Sequence, residues 1–307
     1  MSITYIDLKT PHKDKLDALF KNKKLPRSDS LKETLIWSKY NEWIKILRDK
    51  STDSDEYLSN LVKATNKYKN FIDLEFIFNS DEDFLYRQKG QLKLDNTILE
   101  ECLPYLIDKR LTPGAFSRNN LFVGDESCYA GLYFGNWQSA DFNERIFIKS
   151  KNQDFAVGKE IELNIKDGEY ENKIDLKVAY FAAELKTNLD KTMFQEASAT
   201  ARELKSNVQN SVYVLICEWL DMTPIDSGTT SIDKIIVLRK AKRLNSNVRA
   251  SYSNSAGRKK GFKEYKDFLT SNPLDLEMFK LLSQIINNAF PQLDQIDPSK
   301  KIKRGFF

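Results

Sequence analysis

Hydrophobic positions recur at helical spacing through the first third of the chain. Between residues 12 and about 110, apolar side chains return at helical intervals among charged neighbours. The clearest runs are Leu31, Leu35, Trp37, Trp43, Ile44 and Leu47, followed by Tyr57, Leu58, Leu61 and Val62. This pattern predicts a helical N-terminal region whose charged positions are mostly solvated faces, with a contribution to DNA contact or to a subunit interface left open.

The pattern changes after the segment LTPGAFSRNN, where Pro113 and Gly114 are expected to end a helix. From residue 121 to 240, short runs rich in β-branched and aromatic residues predict strands: LFVG, CYAGLYFGNW, RIFIKSK, DFAVGKEIELNIK, IDLKVAYFAAELKT, SVYVLICEWL and DKIIVLRK. One helix interrupts them, with Asp190 as its expected N-cap and a buried stripe of Met193, Phe194, Ala197, Ala201 and Leu204. Residues 264 to 290 predict a last helical stretch before a basic tail, KKIKRGFF.

This order of elements predicts an α/β or α+β core inside a helical frame. We divide the chain into a helical N-terminal region (residues 1–112), a core (113–245), and a basic loop with a C-terminal helical region (246–307).

Composition narrows the class of protein. Apolar residues make up 41% of the chain and charged residues 30%, which supports a large buried core and excludes wholesale disorder. The sequence has no apolar run of about 18 residues and no signal-peptide pattern at its start, so we expect a cytoplasmic protein without membrane spans. The three cysteines, Cys102, Cys128 and Cys217, are too scattered for a disulfide framework or a CxxC metal site, and we expect reduced thiols.

The chain contains one histidine, His12, which we expect to be exposed at a helix start and structural. Histidine-based nuclease sites, Ser-His-Asp hydrolysis and classical zinc sites are therefore excluded. Catalysis has to use carboxylates, lysines, tyrosines and a hard metal ion with oxygen ligands.

Candidate chemistry lies in the strand VAYFAAELKT, where Glu184 and Lys186 project from the same face. Alone, this pair is equally consistent with an ion pair at a strand end. The runs DFAVGKEIELNIK and IDLKVAYFAAELKT flank a turn-rich segment centred near Tyr170, which predicts an antiparallel hairpin. In that hairpin, Asp154 lies opposite or diagonal to Glu184 and Lys186, within roughly 5 to 8 Å. Asp175 is on the Glu184 strand but roughly 30 Å away at about 3.3 Å per residue, so it cannot share the site.

Two carboxylates beside a lysine suit hydrolysis of a phosphodiester with a divalent metal. We expect Asp154 and Glu184 to hold one or two Mg²⁺ ions, with the backbone carbonyl of Leu185 as a further ligand. We expect Lys186 to orient or help deprotonate the attacking water and to neutralise charge that develops on the phosphate. Gln195, on the following helix, is expected to point towards the same site.

The segments NQDFAVG, AAELKTNLDKTMFQEA, ICEWLDMTP and VLRKAKRLN resemble the PD-(D/E)xK nuclease core, and specifically type II restriction endonucleases of the Bpu-ten-I group, named for enzymes that cut CCTNAGC. The resemblance covers roughly residues 120 to 245. It implies a mixed β-sheet flanked by helices, Mg²⁺ as cofactor and double-stranded DNA as substrate. Glu184 and Lys186 match the ExK pair and Asp154 the leading aspartate, with Gln153 where the general motif has proline.

The segment from Arg239 to Lys263 concentrates positive charge in a chain whose net charge is only +4. We interpret it as a flexible basic loop that binds DNA phosphates and reaches base edges. Its basic residues are Arg239, Lys240, Lys242, Arg243, Arg249, Arg258, Lys259, Lys260 and Lys263. A solvated loop without a ligand is the alternative interpretation.

The leading hypothesis is therefore a sequence-specific, Mg²⁺-dependent DNA endonuclease of a restriction system, acting as a homodimer or as a heterodimer with a related subunit. Two alternatives are a DNA-binding subunit that does not cleave, and a repair nuclease that recognises DNA structure. Cleavage at one fixed site would distinguish the first hypothesis from both.

Overall fold

The computed structural model describes residues 8–117, 121–135, 146–167 and 170–290. Its helices are α1 (Pro11–Phe20), α2 (Arg27–Ser30), α3 (Glu33–Leu47), α4 (Ser54–Asn70), a π-helical segment (Phe71–Phe78), α5 (Phe84–Arg87), α6 (Lys89–Leu92), α7 (Asn96–Cys102), a 3₁₀ turn (Leu103–Leu106), α8 (Pro113–Phe116), α9 (Lys191–Asn207), a 3₁₀ turn (Ser227–Thr229), α10 (Ser246–Ser251), α11 (Ser255–Ser271) and α12 (Leu276–Ala289). Its strands are β1 (Leu121–Phe134), β2 (Ile146–Asp167), β3 (Tyr170–Leu189), β4 (Val212–Leu220) and β5 (Lys234–Val237). The basic tail KKIKRGFF lies outside the described residues.

The five strands form one mixed sheet in the order β1-β2-β3-β4-β5. β1, β2 and β3 are antiparallel neighbours, whereas β4 is parallel to β3 and β5 is parallel to β4. Parallel neighbours need a crossover connection, and α9 supplies it between β3 and β4. The predicted mixed sheet with a helical N-terminal region is confirmed.

One face of the sheet packs against the N-terminal helices and α12. Strand residues such as Phe155, Phe181 and Val214 are fully buried there, together with Leu61 of α4 and Phe279 of α12. The helical region and the sheet therefore share a single continuous hydrophobic core.

The opposite face packs against α9. Ala156, Ala182 and Leu215 meet the buried stripe of that helix, of which Ala197 and Ala201 are fully buried. The small alanine side chains allow α9 to lie close to the sheet, and this fixes where the first turn of α9 begins beside the end of β3.

The prediction of a flexible loop between Arg239 and Lys263 is wrong, because α10 and the first half of α11 lie within this segment. Its glycines serve close packing: a Cβ on Gly261 would collide with the ring of Tyr252, and one on Gly257 with the backbone carbonyl of Ser251.

The expected exposure of His12 is also wrong. Its ring is fully buried, with Nε2 at 2.8 Å from the hydroxyl of Tyr68 and Nδ1 at 3.1 Å from that of Thr97. The polar neighbours explain why an imidazole is stable in this core. The described part of the chain contains no helix with the length and apolar character needed to cross a membrane.

Candidate active site

Two neighbouring strands bring the predicted acid and lysine cluster together. β2 and β3 pair with Phe155 opposite Ala183, so the adjoining residues Asp154 and Glu184 lie side by side. Lys186, two residues further along β3, projects from the same face as Glu184. The hairpin register therefore places these three side chains next to one another, as predicted.

Hydrogen bonds and an ion pair fix the orientation of the cluster. The Asp154 Oδ2 atom accepts a hydrogen bond of 2.8 Å from the backbone N–H of Leu185. Lys186 Nζ lies 2.6 Å from Glu184 Oε1, and the hydroxyl of Tyr213 donates to Glu184 Oε2 at 3.0 Å. Each carboxylate thus keeps lone pairs for a further ligand, since a carboxylate offers about four acceptor sites.

Burial sets the charge state of the cluster. It raises the pKa of Asp154, while the N–H of Leu185 and the charge of Lys186 act in the opposite direction. Burial acts to lower the pKa of Lys186, but the ion pair with Glu184 outweighs it and the pKa is raised. The pKa of Tyr213 is raised by burial and by Glu184, so its hydroxyl remains a donor.

Glu100 of α7, which was not predicted as a site residue, also lies near this cluster. Burial, followed by the negative charge of Asp154, raises the pKa of Glu100 to about 7. Its Oε1 atom accepts a 2.7 Å hydrogen bond from the side-chain NH₂ group of Asn96. The side-chain oxygen of Asn96 in turn accepts a 3.5 Å hydrogen bond from the hydroxyl of Thr187 in β3. No local pattern marks Glu100, because only tertiary packing of α7 against the sheet brings it to Asp154.

The cluster opens into a cleft of about 710 Å³. Asp154 and Lys186 line it from the sheet, and Lys93 lines it from the helical region. Arg243 and Arg249 line it from the predicted basic segment. Three separate parts of the chain therefore meet around one site.

The nine predicted DNA-binding residues differ widely in exposure. Arg239 is buried with its Nε atom 2.6 Å from Glu218 Oε1. Arg258 is also buried, and its guanidinium donates to the backbone carbonyls of Phe78, Ser80, Glu82 and Tyr252 and to the carboxylate of Asp83. The structure does not bring these two guanidinium groups to the surface.

The remaining seven basic residues have exposed or half-buried side chains. Four belong to ion pairs: Lys240 with Asp275, Lys259 with Asp81, and Arg243 and Arg249 with Asp221. Lys242 is exposed, and its backbone pairs with that of Leu220 at the end of β4. Lys260 and Lys263 are exposed on α11. Basic side chains are therefore accessible both at the cleft and on α11.

Two other residues bear on the predicted site. Asp175 pairs with Glu162 in the part of the hairpin that lies away from the cleft. Gln195 is exposed in the first turns of α9 and is not among the residues that line the cleft, where Met193 is. The role expected of Gln195 stays a prediction.

The comparison with protein families decides the class of protein. The model of the Bpu10I restriction endonuclease family matches residues 91–307, which is more than half of the chain. The chain belongs to the Bpu10I restriction endonuclease family. The matched range includes the acid and lysine cluster, Glu100, Lys93 and the whole basic segment.

Membership makes the protein a type II site-specific deoxyribonuclease. A solved structure described as "native BbvCI A2B2 tetramer at low resolution" is similar over 91% of this chain and 94% of that chain, with a TM-score of 0.56 and 20% sequence identity. At that identity the likeness shows the fold alone. No curated protein matches the chain.

The donor atoms of the Bpu10I-family site suit a hard divalent cation. Across the described residues, no group of three or more histidine, cysteine, aspartate or glutamate side chains is arranged to hold a metal. The carboxylates of Asp154 and Glu184 are the oxygen donors that meet at the β2–β3 hairpin. Mg²⁺ is commonly bound by one or two carboxylates with waters and substrate phosphates completing the shell, so the donor set fits this ion.

Proposed function

We propose that this protein is a Mg²⁺-dependent endonuclease that hydrolyses phosphodiester bonds at a specific sequence in double-stranded DNA, in the cytoplasm, as part of a restriction system. The proposal rests above all on one observation: Asp154, Glu184 and Lys186 lie together, and Asp154 and Lys186 line a cleft of about 710 Å³ that basic side chains also line.

In this proposal Asp154 and Glu184 hold the metal, with the carbonyl of Leu185 as a further ligand. Bound Mg²⁺ supplies positive charge that polarises the phosphate and lowers the pKa of a coordinated water. The hydrogen bond from Leu185 N–H and that from Tyr213 orient the two carboxylates before a ligand arrives.

Lys186 is the proposed positioning group for the water and for the charge that develops on the phosphate. Its pKa is raised, so it is cationic at neutral pH and suits stabilisation of negative charge better than proton abstraction. Metal binding at Glu184 would compete for the carboxylate oxygen that Lys186 contacts, which would turn the ammonium towards the phosphate.

We propose that DNA contact involves the exposed basic side chains along the cleft and α11. Lys242, Lys260 and Lys263 have accessible ammonium groups, and Arg243 and Arg249 line the cleft itself. Contacts of this kind supply much of the affinity for duplex DNA by releasing condensed counterions.

Cleavage of a duplex requires hydrolysis in both strands, and the described residues of one chain hold one acid and lysine cluster. We propose that the chain acts with a second subunit, either an identical copy or a related chain. A purified chain that cuts both strands of a plasmid alone would support the homodimer. A chain that only nicks it would support a heterodimer.

The proposal is tested by comparing two aspartates of the same hairpin. Asp154→Ala removes a proposed metal ligand and is expected to abolish single-turnover cleavage of plasmid DNA at saturating Mg²⁺. A gel shift in Ca²⁺ should show that DNA binding survives. Asp175→Ala, as the matched control, should cleave nearly as well as wild type.

Sequencing of the cut ends should give one consensus, and excess EDTA should stop the reaction. Cutting without a consensus would favour the repair nuclease. An active Asp154→Ala protein would overturn the proposed site, and a wild type that binds duplex DNA without cutting it would favour the non-cleaving subunit.

A further inference from the structure

Lys93 differs from the other cationic side chains that line the cleft, because no described carboxylate lies within ion-pair distance of it. The others are paired within 3.9 Å as follows: Lys186 with Glu184, Lys89 with Asp73 and Asp95, and Arg243 and Arg249 with Asp221. Lys93 is exposed and lines the cleft.

The backbone of Lys93 is held in an unusual conformation. Its φ of 52° and ψ of 25° lie in the left-handed region, which favours glycine because other residues have a Cβ. Its N–H donates to the carbonyl of Lys89, and its own carbonyl accepts from both the N–H and the hydroxyl of Thr97. Lys93 caps the C-terminus of α6 in this conformation, and its backbone hydrogen bonds hold the residue in place at the edge of the cleft.

Lys93 also lies close enough to act on the acidic cluster. Its positive charge opposes the upward shift in the pKa of Asp154 and of Glu100. The side chain belongs to the loop between α6 and α7, whereas Asp154 and Lys186 belong to the sheet. The ammonium and the carboxylates therefore approach the cleft from different elements.

We propose that Lys93 is a phosphate-binding residue of this cleft, which contacts a backbone phosphate of the DNA strand beside the bond that is cut. This inference rests on the proposed function, because it takes duplex DNA as the occupant of the cleft. It assigns a DNA contact to one residue of the helical N-terminal region, where the charge pattern of the sequence singles out no residue for that role.

The physical reason is the absence of a competing partner. Lys89, Lys186, Arg243 and Arg249 must each leave a carboxylate before they can bind a phosphate with their full charge. Lys93 needs no such exchange, because no described carboxylate is paired with it. A phosphate is the group that a duplex presents in large number and at regular spacing to such a cation.

Left-handed backbone geometry allows an unusually clean test. Lys93→Gly removes the ammonium and also relieves the backbone, so the variant should melt no lower than wild type. Lys93→Arg keeps the charge. Lys45→Ala removes an exposed lysine of α3 that lines a different cavity, and it is the matched control for loss of one positive charge.

Binding would be measured in Ca²⁺ as a function of salt, on a duplex fragment that contains a cleavage site mapped with the wild-type enzyme. We expect Lys93→Gly to bind up to about tenfold more weakly at moderate salt and to lose about 0.9 from the slope of log affinity against log salt. Lys93→Arg and Lys45→Ala should keep the wild-type slope.

An unchanged slope in Lys93→Gly would overturn the proposal. If that variant instead shifted only the pH profile of cleavage, Lys93 would act on the carboxylates alone, which also overturns it. The test is separate from that of the proposed active site: an active Asp154→Ala protein would remove the metal ligand assignment, while the salt slopes would still decide the role of Lys93.

Discussion

His12 and Glu100 are two buried titratable residues whose pKa values shift in opposite senses. Burial, followed by the positive charge of Lys69, lowers the pKa of His12 from 6.5 to about 3. Burial, followed by the negative charge of Asp154, raises the pKa of Glu100 from 4.5 to about 7. Each residue is therefore neutral in the folded protein over a range where it is charged in the unfolded chain.

The two shifts predict opposing effects of pH on stability. The unfolded chain protonates His12 first, so stability is lost as the pH falls from 6.5 towards about 3. The folded chain protonates Glu100 first, so stability is gained as the pH falls from about 7 to 4.5. Each slope reaches up to ~1.4 kcal/mol per pH unit. We compare the free energy of unfolding of each variant with that of wild type as the pH falls from 6.5 to 4.5. We expect this difference to shift in favour of His12→Gln and against Glu100→Gln.

Urea unfolding of the wild type and both variants across this pH range, in EDTA, would measure these slopes. Comparison with wild type cancels the titration of the other carboxylates. If both variants followed the wild-type pH dependence, His12 and Glu100 would not be buried in their neutral forms.

At the scale of elements, the start of α9 connects the fold to the site. Asp190 has an extended backbone, and its side chain accepts a 2.9 Å hydrogen bond from the N–H of Met193. We expect Asp190→Ala to lower the free energy of unfolding by about 1 kcal/mol, because a donor in the first turn loses its partner. Asp190→Ser, which can still cap, should keep most of the stability in urea unfolding. Equal losses in the two variants would show that capping is not the cause.

The β2–β3 hairpin and α9 could be predicted from the sequence because their signals are local. Alternation of apolar residues gave the two strands, a turn-rich segment gave their register, and Asp190 marked the first turn of α9. Since Asp154, Glu184 and Lys186 lie within these elements, their proximity followed from the same local signals.

The rest of the site depends on contacts that no local pattern records. Lys93 lines the cleft and Glu100 comes near Asp154 only because the α6–α7 segment packs against the sheet. The basic segment was misinterpreted for a related reason. Gly257 and Gly261 indicate a flexible loop in the sequence, yet in the fold they make room for Ser251 and Tyr252 beside α11.

At the scale of the whole molecule, a buried ionic cluster joins the helical region to the sheet. Lys69 of α4 lies 3.0 Å from Glu218 of β4, and the same carboxylate lies 2.6 Å from Arg239, which follows β5. The cluster continues through Asp73 to Lys89 at the cleft. The side chains of Lys69 and Arg239, the basic partners of Glu218, are fully buried. Water therefore cannot take the place of the Glu218 carboxylate beside them.

This arrangement predicts that the helical region and the sheet unfold together. Glu218→Gln leaves Arg239 buried without its counter-charge and leaves Lys69 with only the more distant carboxylate of Asp73, at 3.7 Å. We expect a loss of about 3 to 5 kcal/mol in the free energy of unfolding. Lys259→Ala breaks an exposed pair with Asp81 and should cost less than about 1 kcal/mol. Urea unfolding followed by tryptophan fluorescence and by circular dichroism should give coincident single transitions for both variants. Two separate transitions would mean that the shared core does not couple the regions. If Glu218→Gln lost no more free energy of unfolding than Lys259→Ala, Glu218 would not be neutralising the buried cations.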